Sequence, residues 1–280
     1  KYLCDRLSAF RANGFAMWLS LAFVSAILLG LYDSLKKESL DGNAVVPILF
    51  LNTLFCTLIF LPFILLSNFG TCLDGSIFKV SPGWNWDEQK WVILKSVIVL
   101  SSWMLGYFAM KHLPLTIVGP INATRPVMVL LGALVFFAER LNLWQWLGVI
   151  VALIGIEMLK KTSRREGIDW WHDKWIYFVI AANILGALSG LYDKYLMASP
   201  QAGGIGLDKM AGQSWYTIYQ FIMMTCVLIV LWYPRRKQST PFRWTWSIPL
   251  ISIFLSTADF VYFYALGLEG AMISVVSMIR

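Results

Sequence analysis

Histidine and cysteine are nearly missing from this chain. His112 and His172 stand alone, without a carboxylate or thiol at ligand spacing, so the sequence gives no metal site. Cys4, Cys56, Cys72 and Cys226 form no close pair, and neither a zinc site nor a disulfide framework is indicated. No nucleophile elbow, Walker loop or dinucleotide fingerprint is present, so no cofactor is implied and nothing points to an enzyme. Charge is scarce as well. Only 14% of residues are charged, against about 25% in an ordinary soluble domain. The net charge of +7 does not mark a nucleic-acid surface, because the lysines and arginines gather in short connections between apolar runs.

What the chain has in abundance is apolar surface: 58% of its 280 residues are hydrophobic and the mean hydropathy is +0.65. One core of this length cannot hide so much, and lipid is the natural solvent. A membrane span needs about 20 apolar residues to cross roughly 30 Å of hydrocarbon. Such runs occur at Phe15–Leu31, Val45–Leu66, Trp91–Met110, Leu115–Phe137, Trp144–Leu159, Trp175–Tyr192, Trp215–Tyr233 and Trp246–Leu268, and a ninth starts at Gly270. Tryptophans at the run edges, among them Trp18, Trp91, Trp144, Trp175 and Trp246, suit the headgroup level. Residues 1–13 place Leu3, Leu7 and Phe10 opposite Lys1, Arg6 and Arg11, which admits an interfacial helix or an upstream extension. The expected class is an all-α, multi-pass integral protein of the cell membrane.

The chain repeats itself. Gly30-Leu31-Tyr32-Asp33 returns 160 residues later as Gly190-Leu191-Tyr192-Asp193. Tyr107-Phe108-Ala109 precedes Arg125 at the spacing by which Tyr262-Phe263-Tyr264 precedes Arg280, and Asn122 then matches Ser277. Two matches in the same order argue for duplication. The first unit holds five spans, so the second must enter the membrane with the opposite sense, the inverted-repeat plan of many secondary transporters. The expected halves are residues 1–160 and 161–280, the second cut in its fourth helix, and ten helices are expected in a complete protein.

Phe136-Phe137-Ala138-Glu139-Arg140-Leu141, followed by Trp144-Gln145-Trp146-Leu147-Gly148 and Val151-Ala152-Leu153-Ile154-Gly155, resembles the closing signature of an EamA repeat. That resemblance implies membership of the drug/metabolite transporter superfamily, with ten helices in two inverted five-helix repeats and transport of small solutes without ATP. The chain departs from the usual pattern in carrying Arg125 directly before Pro126.

Charged residues inside spans are costly, about 2.5–3.5 kcal/mol each on insertion scales, and are functional candidates by default. Asp259 is one, as a proton acceptor or the partner of a buried cation. Arg125 and its repeat mate Arg280 are the others, each offering a planar fork for carboxylate or phosphate. Asn52 and Gln220 lie at similar depths in the second helix of each half. Asn122, Asn183, Trp103, Tyr107, Tyr216, Tyr219 and Tyr262 complete a candidate polar, aromatic-walled cavity, with packing as the alternative role for each ring. Asp33 and Asp193 read as helix-closing or interfacial residues, and Glu139 as structural. Gly186 and Gly190 form a small-residue face for packing within the monomer or in a homodimer.

The positive-inside count favours an external N-terminus, whereas the resemblance implies a cytoplasmic one. The leading functional expectation is alternating-access movement of a small polar metabolite, an amino acid or other carboxylate-bearing solute, coupled to protons or run as an exchange. The alternatives are a membrane-embedded enzyme acting on a lipid-linked substrate, or a membrane partner that transports nothing.

Overall fold

The computed structural model describes residues 2–69, 76–80, 85–136, 172–197, 203–234, 240–266 and 273–279, with isolated positions between and side chains from Met17 onward. Among the described residues every regular element is helical. The helices are α1 (Tyr2–Leu40), α2 (Val45–Phe69), α3 (Trp86–His112), α4 (Leu115–Asn122), α5 (Arg125–Phe136), α6 (Lys174–Met197), α7 (Lys209–Val227), α8 (Ser247–Leu266) and α9 (Ile273–Ile279). Among the described residues seven stretches are long and apolar enough to cross a membrane, α4 and α5 together making one of them. Half of the expected span Trp144–Leu159 falls outside the described residues, as do Glu139, Arg140 and Arg280.

Local chemistry sets the boundaries. α3 starts five residues before the apolar run because Asn85 caps it, its side chain accepting from the Asp87 amide, with Asp87 and Glu88 in the first turn complementing the helix dipole. Asp208 caps α7 in the same way, accepting from the Ala211 amide at 2.8 Å. α7 ends in a π-helical turn, Leu228–Trp232. Asp33 and Asp193 do not close their helices. α1 continues to Leu40 through good helix formers and stops at Gly42, whose φ of 58° few other residues adopt. α6 likewise continues past Asp193 to Met197. The expected single span from Leu115 is broken at Ala123–Thr124, between Pro120 and Pro126, where the missing proline N–H groups interrupt the ladder.

The helices alternate in direction. The near end of the bundle carries the α2–α3 and α6–α7 connections, and the far end carries the α1–α2, α3–α4 and α7–α8 connections. α1 packs along α8, α3 along α6, α2 along α7, and α5 against both α6 and α9. Hydroxyls stitch the closest pairs: Ser25 donates to the Ala258 carbonyl at 2.9 Å and Ser102 to the Ala182 carbonyl at 2.7 Å. At the far end Lys37 donates to the Met110 and Leu113 carbonyls, supplying cationic donors where α3 ends. Asn43 clamps Arg243 there through both its amide groups. Outward faces such as Phe23, Val24, Ile27 and Leu31 on α1 are exposed, as lipid contact requires. The fold is that of a multi-pass membrane protein.

Candidate functional site

A cavity of about 570 Å³ lies between α1, α3, α4, α5, α6 and α8. The break between α4 and α5 positions its most basic group. Arg125 opens α5, and its guanidinium lies directly against Gly186 of α6, where any larger residue would collide with it. One turn along, Gly190 faces Val129, which a β-carbon at that position would just touch. The Gly186/Gly190 face therefore packs within the monomer, against α5. Asn183 donates to the Ile121 carbonyl at 2.7 Å, holding α6 to the end of α4 beside the break.

The wall is unusually charged for a membrane interior. Its described residues include Asp33, Asp193, Asp259, Lys36, Lys95 and Arg125. Lys36 pairs with Asp33 at 3.2 Å and lies 4.9 and 4.8 Å from the rings of Tyr32 and Tyr107, whose hydroxyls share a 3.1 Å hydrogen bond. Lys95 of α3 pairs with Asp193 of α6 and lies 3.9 Å from the Phe263 ring and 4.8 Å from that of Tyr216. These two clusters stand towards opposite ends of the bundle. Gly30, Leu115, Gly119, Ala123 and Arg125 line the cavity and are exposed, so its mouth lies between α1 and the α4–α5 stretch. A cavity of this size, with acidic and basic groups on an apolar frame, suits a small polar solute carrying both charges.

Comparison with known proteins agrees with that architecture. The EamA-like transporter family matches residues 16–159, just over half of the chain. The chain belongs to the EamA-like transporter family. It is also similar to a probable 4-amino-4-deoxy-L-arabinose-phosphoundecaprenol flippase subunit ArnE of Aeromonas salmonicida (strain A449), 32% identical over 69 residues, 25% of this chain and 60% of that protein. The protein of the same description from Aeromonas hydrophila subsp. hydrophila is 28% identical over 76 residues, 27% of this chain and 67% of its own length. The chain thus spans about 60% of the length of the first of these curated relatives.

In this EamA-like chain the cavity gathers eight of the residues the sequence singles out for it: Asp259, Arg125, Asn122, Asn183, Trp103, Tyr107, Tyr216 and Tyr262. Asn52, Gln220 and Tyr219 lie outside its wall. Asn52, fully buried in α2, accepts from the Ser252 hydroxyl of α8 at 2.9 Å, and Gln220 is buried in α7. Tyr219 donates to Gln89 of α3 at 2.9 Å. Arg280 lies outside the described residues. Sequence reasoning missed Lys95, Lys36, Asp33 and Asp193 as cavity residues. The signal was present for Lys95, a lone cation between Val92 and Leu100 within an apolar run, as exceptional there as Asp259 is in its own.

Proposed function

We propose that this chain moves a small zwitterion or carboxylate-bearing metabolite, such as an amino acid, across the membrane by alternating access. The mixed-charge cavity at the α4–α5 break carries this reading. Arg125 would take the solute carboxylate as a fork, and Asp259 its ammonium or, alternatively, a coupling proton. Broken helices that line a mid-membrane cavity are a recurring binding device in secondary transporters.

The halves 1–160 and 161–280 are proposed as an inverted pair. The helix pairing supports this. Exchanging α1 with α6, α2 with α7, α3 with α8 and α4 with α9 turns the α1–α8 contact into α6–α3 and the α4–α6 contact into α9–α1, and returns α2–α7 to itself. An approximate two-fold of this kind gives two related conformations of one cavity at little extra cost, which alternating access requires.

A second reading has its own observation. The mouth between α1 and α4–α5 is flanked by exposed apolar residues such as Ile27, Leu31 and Leu115, so a polar headgroup could enter from the bilayer with its lipid tail left outside. The Aeromonas relatives bear a lipid-linked sugar flippase name, with the word subunit implying a partner chain. Counterflow in proteoliposomes separates the readings. Radiolabelled amino acids and organic acids should exchange across vesicles holding the purified protein. Exchange of none of them, with translocation of a phosphopolyprenyl sugar instead, would overturn the solute reading in favour of the lipid one.

A further inference from the structure

A second cavity of about 450 Å³ opens at the near end, lined by Ser76, Lys79, Lys209, Gln213, Phe260 and Phe263 among others. Phe263 lines the central cavity too, so its ring stands in the partition between the two spaces. That ring is 4% exposed and lies 3.9 Å from the Lys95 ammonium. The Lys95 and Asp193 side chains are 4% and 9% exposed, and Tyr216 closes the same layer from α7. Above it, Phe78 of the α2–α3 connection stacks between Phe63 at 5.5 Å and Phe260 at 5.4 Å. The near end is shut.

The far end is built differently. Asp33 occupies the place of Asp193 in the repeated Gly-Leu-Tyr-Asp motif, but its lysine, Lys36, comes from the same helix at i+3 and its side chain is 45% exposed. The Asp33–Lys36 pair lies within α1 and so joins no two helices, whereas Lys95–Asp193 bolts α3 to α6. The exposed rim of the central cavity, including Leu115 at the far-end start of α4, lies on this open side.

We propose that the Lys95–Asp193 pair beneath Phe263 is a closed gate between the central cavity and the near-end vestibule, and that this conformation admits solute only through the mouth between α1 and α4–α5. This deepens the transport reading and rests on it. Opening requires α3 and α6 to part, breaking the ion pair and withdrawing Phe263 with α8. The vestibule lysines, Lys79 and Lys209, then meet a solute's anionic group as it leaves or arrives.

The test is sided cysteine labelling with a membrane-impermeant maleimide in right-side-out and inverted vesicles. Cys4, Cys72 and Cys226 are replaced by serine, and buried Cys56 is kept as an internal control. Ser76→Cys identifies the near side, and Ser189→Cys, one turn from Asp193 on the cavity wall, reports passage through the gate. Near-side reagent should modify Ser76→Cys but not Ser189→Cys, while far-side reagent reaches Ser189→Cys. Adding Lys95→Gln with Asp193→Asn, or separately Phe263→Ala, should raise near-side modification of Ser189→Cys by about tenfold or more, within the roughly 5–150-fold range of a single coupling interaction. Phe263→Ala leaves the ion pair in place, so the gate is tested even where the charge variants fail to fold. Near-side labelling of Ser189→Cys that is as fast in the intact protein as in Phe263→Ala would overturn the proposal. The readout needs no solute: sided labelling as expected, with no counterflow of any solute, removes the proposed function and leaves the gate standing.

Discussion

Removing one partner of the Lys95–Asp193 pair should cost far more stability than removing both. The two side chains are 4% and 9% exposed, so each charge depends on the other for most of its stabilisation. Breaking a buried pair from one side typically costs about 3–5 kcal/mol, whereas apolar replacement of both partners is often neutral or stabilising. The surroundings make the two single losses unequal. In Asp193→Asn the stranded ammonium keeps the faces of Phe263 and Tyr216, each good for about 0.5–2 kcal/mol. Those contacts solvate the ammonium in part, so the net cost falls at or below the low end of the pair-breaking range, about 3 kcal/mol or less. In Lys95→Met the Asp193 carboxylate loses its lysine and the ring contacts of that lysine go with it, so a larger loss, up to about 3–5 kcal/mol, applies. Lys95→Met with Asp193→Leu should recover to within about 1–2 kcal/mol of the parent. The assay is a double-mutant cycle of unfolding free energies, with Lys95→Met, Asp193→Leu and the two together as its variants, from denaturant titration in mixed micelles. A coupling energy above about 2 kcal/mol is expected, and single effects that add to the double within about 0.5 kcal/mol would refute the reasoning.

Gly186→Ala should fold normally, because the atoms it displaces are the flexible end of Arg125. The guanidinium must still shift by roughly 2 Å to regain van der Waals separation. Solute affinity measured by calorimetry should fall about tenfold or more, as expected when one charge-assisted hydrogen bond worth about 1.5–3 kcal/mol is lost. Gly132→Ala, by contrast, meets the Leu191 side chain inside the α5–α6 contact; a stability loss of about 1–3 kcal/mol with unchanged affinity is expected from denaturant titration. Asp259→Asn should abolish the dependence of transport on a pH gradient while exchange survives, read by counterflow with and without the gradient; full gradient-driven uptake would remove Asp259 from coupling. Ser252→Ala deletes one interhelical hydrogen bond to Asn52 and should lower stability by only about 0.6 kcal/mol, leaving counterflow rates unaltered.

The fold was legible where one strong signal sufficed. Runs of apolar residues gave the spans, and their cores agree with α2, α3, α6, α7 and α8. Their ends were misjudged wherever polar helix formers extend a span, as Ser34–Leu40 do in α1 and Asp87–Lys90 in α3. The α4–α5 break was written in Pro120 and Pro126, but hydropathy smooths over prolines. Four of the six charged wall residues were hidden, and the Lys95–Asp193 pair for a geometric reason. Asp193 and Lys95 are 98 residues apart in sequence, each near the end of an apolar run where a solvated reading is natural. Only the antiparallel packing of α3 on α6 makes them partners. Asn52 and Gln220 show the converse: a polar residue at mid-span announces burial, but not whether it faces a cavity or a neighbouring helix.

The most direct test of the central claim, that solute passes through the cavity bounded by Arg125 and Asp259, is protection of that cavity by solute. Asn122→Cys places a thiol on its wall, near the mouth. A bulky thiol reagent should then stop counterflow of the transported metabolite, and a saturating concentration of that metabolite should slow the modification several-fold. Complete modification with counterflow intact would contradict the account.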